Sequence, residues 1–434
     1  MNRRILKKGI IYPISFVVIY LLLTGLIVGV AIIPRERIKT NMLESAEYMC
    51  ESPTQWLLMD WIHASQIDHY ADCITLSIAY ELDESRPLQS AMTTSFYGYQ
   101  TTAMNTMLLE SVRDDLSATT EYLRYWHGSA AAMRLLHLFW NIKTIYMFHA
   151  ILMAAVSLIL IILLFKNGFR EEAVAYVLAM IIVSSWYVPL CLEYTYTFIC
   201  MMVSAIIGFI LALKHKDQWL GLFFMITGMV TVYFDFLTTE TLTLLIPLLL
   251  ILRVWSRQGR EEKWVYSLKF GIAWSAGYLG MWMMKWLTAS IVLGKDVLPY
   301  VTGHVAERIS GGVTGYYMTG NIYIDTLLLN LRNLFPYEYG LSGAVLVMVF
   351  MFVVVALPVV TGRVRLREKV NLSDVLLFAV IGLLPYVRFL VLQNHSYIHN
   401  FFTYRAQAAT IMASCFIVLE LVEPTQRKAV RMNV

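Results

Sequence analysis

Apolar residues run through this chain in long blocks separated by short polar connections. They do not alternate with polar residues at the period of a surface helix or a half-buried strand. The first block, Gly9–Ile33, exceeds the apolar core of about 7–15 residues found in a secretory leader and is long enough to cross a hydrocarbon layer of about 30 Å. Further blocks follow at 142–165, 173–192, 197–213, 219–236, 241–256, 267–293, 341–361, 374–393 and 405–422. Together they predict an all-α polytopic protein of ten membrane-crossing helices, a single integral membrane domain over residues 1–434. Two stretches, 34–141 and 294–340, contain no block of spanning length. Within the first, Trp56–Leu58–Ile62 and Ile74–Leu76–Ile78 predict short amphipathic helices lying in the headgroup zone.

The basic residues set the orientation. Arg3, Arg4, Lys7 and Lys8 precede the first block. Lys166 and Arg170, Lys214 and Lys216, the Arg253–Lys263 group, Arg363–Lys369, and Arg427, Lys428 and Arg431 then fall in alternate connections. The intervening turns Glu193–Thr197 and Phe236–Glu240 hold no basic residue. Because Lys and Arg are retained on the cytoplasmic side, both termini are expected inside a plasma membrane, with 34–141 and 294–340 outside. Composition agrees: 58% of residues are hydrophobic and 15% charged, against about 25% charged in soluble domains. A net charge of +4 is too mild to suggest a nucleic-acid partner. Five cysteines without a CxxC pair give no zinc ribbon. Cys50 and Cys73 share the first outer stretch and are candidates for a disulfide.

Ionisable residues at span ends are costly, so each is a candidate for function. Glu193, Asp235, Glu240, Lys285, Arg388, His395, His399 and Arg405 all fall toward the outer ends of the expected spans, with no comparable acidic or histidine cluster at the inner ends. Each also has a structural reading, as a helix cap, a snorkelling side chain or an interfacial anchor. Asp68 and Asp72 are four apart, so a helix stacks them on one face, where such a pair can share a proton and leave one member a base. His395 and His399 have the same spacing and suit hydrogen bonding to a sugar or phosphate. Tyr125-Trp-His127-Gly, followed by Arg134, offers aromatic faces and a cation for the same kind of ligand.

One span, a long outer loop rich in acids, then paired spans with polar outer tips: the arrangement resembles a GT-C-type integral membrane glycosyltransferase over the whole chain. The tips Asp235-Phe-Leu-Thr-Thr-Glu240 and Asn394-His-Ser, with His399 and Arg405 beyond, are similar to outer-hairpin signatures of that family. The resemblance implies that a sugar is moved from a polyprenyl-phosphate donor to a glycan or lipid-linked acceptor at the outer face, here of a bacterial inner membrane. It implies a first-loop acid as base, for which Asp68 and Asp72 are the nearest match, followed by Asp60 and the adjacent Asp114 and Asp115. Arg35-Glu36-Arg37, rather than an acidic pair, directly follows the first span. Direct displacement of the phosphate, hence inversion, needs only a base and donors for the leaving group. His127, Arg134, Glu193, Asp235, Glu240, Lys285, Arg388, His395, His399 and Arg405 are the expected binding residues. A divalent cation stays open as cofactor, and the membrane lipid is a partner. Two other classes fit the pattern: an envelope polysaccharide polymerase or ligase that relies on arginines, and a transporter for a lipid or solute, which needs charges near the midplane.

Overall fold

A computed structural model describes residues 3–99, 102–310, 319–334, 360–361 and 364–424. The described residues are mostly helical, as the sequence predicts. Five helical stretches are long and apolar enough to cross a membrane: Ile10–Ala31, Ile142–Lys166, Leu192–Leu213, Leu372–Val391 and Asn400–Leu421. They lie within α1 (Arg3–Ala31), α7 (Ile142–Lys166), α9 (Leu192–Leu213), α15 (Leu372–Val391) and the run that ends in α18 (Ala408–Leu421). The expected span at 341–361 falls almost wholly outside the described residues, as do Arg363 and the C-terminal basic group. Leu21 and Leu22 on α1, Ile151 on α7 and Val387 on α15 are more than half exposed. An apolar face without protein cover is what hydrocarbon surroundings favour.

Several expected spans are broken or shifted. The block at 173–192 is α8 (Arg170–Ile182) followed by a 3₁₀ turn, Ser185–Leu190, because Ser184 turns left-handed at φ 53° and Pro189 cannot continue an α-helix. α9 begins at Leu192, so Glu193 sits in its first turn rather than in a free hairpin tip. α10 (Leu220–Phe234), α11 (Leu242–Arg257) and α12 (Lys263–Leu293) complete the bundle. α10 and α12 touch backbone to backbone: a Cβ on Gly228 would lie 2.1 Å from Trp274 O, and one on Gly277 would lie 2.0 Å from Met225 O. Small residues give this close approach where apolar solvent supplies no hydrophobic drive between helices.

Residues 34–141 form a cap with its own core. α2 (Glu36–Cys50), α3 (His69–Glu81), α4 (Pro87–Thr93), α5 (Met104–Asp114) and α6 (Gly128–Leu136) make it up. Met42, Leu76, Tyr80, Leu108 and Met133 pack together inside. The expected interfacial helices are therefore corrected. Gln55–Leu57 is strand β1, paired antiparallel with β2 (Gln66–Asp68) in the register Gln55↔Asp68. Its turn is stitched by the Ser65 hydroxyl, which donates to Met59 O and Ile62 O and accepts from Met59 N. Ile74–Leu76–Ile78 is helical, but Leu76 and Ile78 are fully buried rather than laid on a membrane surface. Cys50 and Cys73 are both free. Two short helices, α13 (Leu298–Ser310) and α14 (Ile322–Leu334), complete the cap side, with α16 (Gln393–Ile398) and α17 (Asn400–Thr403) between α15 and α18.

Buried cations tie the cap to the bundle. The last carbonyls of a helix have no partner within it. Arg134, with no exposed surface, supplies donors for those at the end of α3: Nη1 to Ala79 O and Tyr80 O at 2.8 Å each, and Nη2 to Leu82 O at 3.0 Å and to Ile33 O at the end of α1. Lys285 on α12 does the same for α4, donating to Ala91 O at 3.0 Å and Met92 O at 2.9 Å. Arg405 donates to Phe401 O and to Ala64 O in the cap, both at 2.9 Å, while lying over the rings of Tyr194 and Tyr404. Burial lowers the Arg134 guanidinium to about 10, which still leaves it charged at neutral pH.

Acids also gather at the opposite helix ends, contrary to the sequence reading. Glu172 at the start of α8 accepts from Arg253 and Arg257 at the end of α11, and Arg253 also reaches Glu420 on α18. Lys263 pairs with Asp374, and Arg260 with Asp217. Every acid in this group has a cation.

Replacing Arg134 with Met should lower stability by at least about 3 kcal/mol, since it strands buried carbonyls. Lys should restore only part of this, because one ammonium cannot reproduce a guanidinium fork. Thermal unfolding in detergent measures both.

Candidate functional site

Where the cap meets the bundle a cavity of ≈ 310 Å³ opens, within the range of about 300–1,000 Å³ usual for small-molecule sites. The first turns of α3 supply Tyr70, Ala71, Ile74 and Thr75; the segment before α6 supplies Tyr122, Arg124, Tyr125 and His127. The bundle adds Glu193 from α9 and Phe236 from the α10–α11 turn, α13 adds Tyr300 and Arg308, and His395 and His399 come from α16 and its end. Of the residues singled out from sequence, the structure brings His127, Glu193, His395 and His399 to this one wall.

Each part of the wall is pinned. The indoles of Trp282 and Trp286 donate to Arg124 O at 2.6 and 3.2 Å, and Trp126 Nε1 donates to Met281 O at 2.9 Å, so the 122–128 segment is fixed on α12. His127 takes a left-handed conformation, φ 57°, and Gly128 then lets the chain pass Tyr233, where a Cβ would lie 2.7 Å from the carbonyl oxygen. The Asp235 carboxylate closes the α10–α11 turn, accepting from Thr197 Oγ1 at 3.0 Å, Leu237 N at 2.7 Å and Thr238 N at 3.2 Å. That turn forces Leu237 to φ 65° and aims its carbonyl at Arg388 and at His395 Nε2, the latter at 2.8 Å. Arg388 is held in turn by Glu240, Nε to Oε1 at 2.9 Å, and donates to Ser396 Oγ at 2.9 Å.

The cavity's own polar groups are left unsatisfied. Among the described residues the buried atoms Arg124 Nε, Arg308 Nε, Glu193 Oε2, His395 Nδ1 and His399 Nδ1 have no hydrogen-bond partner. Arg124 lies 4.8 Å from the Tyr122 ring centroid and donates to that hydroxyl at 2.9 Å, yet among the described residues no acid lies within ion-pair distance of Arg124 or Arg308. Buried polar groups in folded proteins are normally paired, so open valences gathered around one chamber are a binding signature. Burial first, then the neighbouring cations, holds His395 well below its usual range, and burial brings His399 down to about 3. Both imidazoles are neutral. Because Leu237 O can only accept, His395 carries its proton on Nε2 and presents Nδ1 as an acceptor, which suits a ligand hydroxyl better than a phosphate oxygen.

A smaller cavity of ≈ 80 Å³ adjoins the first and shares Arg124, Tyr125 and Arg308 with it. Its remaining wall is mostly apolar, with Leu237, Trp282, Trp286, Val301, Val305 and Leu392 beside one polar residue, His304.

The other expected residues are placed elsewhere. Arg134, Lys285 and Arg405, expected as phosphate ligands, have their donors on backbone carbonyls and do not line the cavity. Asp235, Glu240 and Arg388 form the scaffold behind His395. Neither Asp68 nor Asp72 lines the wall. Asp68 caps α3, accepting from Ala71 N at 3.1 Å, while fully buried Asp72 accepts from the Tyr146 hydroxyl and from Leu192 N at 2.8 Å. Asp60 is exposed, and Asp115 is bonded to Lys39 and Tyr80 at the cap surface. Among the described residues, no group of three or more His, Cys, Asp or Glu side chains is arranged to hold a metal ion. Sequence reasoning missed Arg124 and Arg308. Arg124 directly precedes the aromatic run Tyr125-Trp-His127, which was the available signal; Arg308 stands in a polar stretch with none.

Asp68 gives a pH test. Burial is the main cause that raises its carboxyl from the usual 3.8 to about 6, against lowering hydrogen bonds from Ala71, Gln55 and Tyr70. A raised acid favours the folded state fully below its unfolded value, and that contribution is lost as pH rises through about 6. The unfolding free energy in detergent should therefore fall between about pH 4 and pH 7, seen as a lower melting temperature, and Asp68→Asn, which keeps the helix cap, should reduce that fall by at most about 3 kcal/mol. Comparison with family models, curated proteins and solved structures returns no match.

Proposed function

We propose that this chain is a GT-C-type membrane glycosyltransferase that takes a sugar from a polyprenyl-phosphate donor. On this reading it crosses a bacterial plasma membrane ten times, with both termini in the cytoplasm and the cap outside. The observation that carries the reading is the border between the two cavities, where Arg124 and Arg308 stand between a polar, aromatic-walled chamber and an apolar groove. A polyprenyl-phosphate sugar has the same order of parts. The phosphate would lie between the two guanidiniums, whose planar donors match its oxygens. The prenyl chain would follow the groove between Trp282, Trp286 and Val305. The sugar would enter the larger chamber, stacking on Tyr122, Tyr125 or Phe236 and donating hydroxyls to the neutral His395 and His399. A glycan or lipid-linked acceptor would arrive over the exposed rim at Tyr70 and Glu121.

The chemistry follows from the charges. Transfer to an acceptor hydroxyl leaves a phosphate that gathers negative charge, and two cations already in place at that point stabilise it more in the transition state than in the ground state. Direct displacement inverts the anomeric centre. Paired charges at the opposite helix ends favour this reading over a transporter, which needs a route to both faces.

Purified protein incubated with polyprenyl-phosphate hexoses and a glycan acceptor should yield a glycoside of inverted configuration. Arg124→Gln and Arg308→Gln should each weaken donor binding by about 10- to 100-fold, the loss of a hydrogen bond to a charged group. Wild-type protein that binds the donor lipid but transfers nothing would leave a lipid-binding or transport role in place of the enzyme.

A further inference from the structure

Resting on the glycosyltransferase reading, we propose that Glu193, rather than an acid of the first long loop, is the general base, and that Asp72 is its positioning residue. Three observations carry this. Glu193 is the carboxylate, among the described residues, that both lines the chamber of Arg308, His395 and His399 and keeps a buried oxygen, Oε2, without a partner. Its nearest competitor, Asp72, is enclosed and has both oxygens engaged, one by the Tyr146 hydroxyl and the other by Leu192 N. The second of these contacts falls on the residue directly before Glu193. Asp72 thus fixes the first turn of α9 by a free backbone N–H, and with it the direction of the next side chain. Asp68 is committed to the start of α3. Glu121, the other acid on the wall, is exposed at the rim and pairs with Lys295.

The step balances without a further reactant. Glu193 Oε2 takes the proton of the acceptor hydroxyl. The acceptor oxygen, freed of its proton, bonds to the anomeric carbon as the bond from that carbon to the phosphate oxygen breaks. The electron pair leaves on the phosphate, beside Arg124 and Arg308, and Glu193 returns its proton to water.

The test uses full-length protein in detergent, with a polyprenyl-phosphate hexose and a glycan acceptor. Glu193→Gln keeps the shape of the side chain and removes the base. It should retain donor binding and lose transfer by about 10²–10⁴-fold, the usual worth of a general base. Glu193→Asp, which keeps a carboxylate one methylene back, should recover part of the rate. The acidic limb of the kcat/KM profile should vanish in Glu193→Gln. It should persist in Asp72→Asn, whose kcat falls while the KM for donor holds. Near-normal transfer by Glu193→Gln, or an acidic limb that disappears with Asp72→Asn or Asp68→Asn instead, would overturn the assignment. The parent reading fails separately: in that case the wild-type protein itself shows no transfer.

Discussion

A charge removed from water must find partners, and in this protein the partners of the most deeply placed cations are backbone carbonyls. Arg134, Lys285 and Arg405 stand in apolar surroundings where an unmatched cation would cost several kcal/mol. They meet the carbonyls that α1, α3, α4 and the segment at Ala64 leave free. The two needs cancel each other. Because each clamp joins a cap element to a bundle element, or one cap helix to α1, the cap is seated in one position. The chamber between cap and bundle inherits that fixity: its tyrosines and arginines ride on a segment pinned by Trp126, Trp282 and Trp286.

The same rule shows where the fold leaves something undone. At the far helix ends Glu172, Glu420, Asp374 and Asp217 each meet an Arg or Lys. At the cap end two guanidiniums, a carboxylate and two imidazoles share a wall without completing one another. The functional asymmetry of the molecule therefore lies in pairing, not in the number of ionisable groups. Ionisable groups of both signs brought to one wall without pairing, where the acids of the far helix ends each have a cation, imply a ligand that completes them.

Much of the architecture was legible because apolar block length is a one-dimensional signal. The helices at Ile142–Lys166, Leu192–Leu213 and Leu372–Val391 follow directly from it. The break after α8 was not legible, since Ser184 turns left-handed for tertiary reasons while its neighbours stay apolar. The cap was misread for a related reason. Alternating apolar residues at 74–78 carry the same pattern whether the far face meets headgroups or α5, and only the fold decides. In the site, Glu193, His395 and His399 are legible because a polar residue at a span end is costly and conspicuous, and His127 because it stands in the aromatic run Tyr125-Trp-His127. Charge in an apolar setting does not by itself tell a ligand-binding cation from a carbonyl clamp, so Arg134, Lys285 and Arg405 were read as the former. Arg124 and Arg308, in polar stretches, carried no such mark.

The wall at His395 joins these strands of reasoning. Asp235 holds a turn that Leu237 would not adopt unaided, and the carbonyl exposed by that turn is what fixes the tautomer of His395. Arg388, which the same carbonyl and Glu240 immobilise, then fixes Ser396 beside it. Asp235 and Leu237, which do not line the larger chamber, thus decide that an acceptor, not a donor, faces into it. A proton-accepting imidazole beside two guanidiniums that each keep an unpartnered Nε sorts the chamber into a hydroxyl side and an anion side. That division arises from groups outside the chamber, through the turn that Asp235 holds and the carbonyl of Leu237.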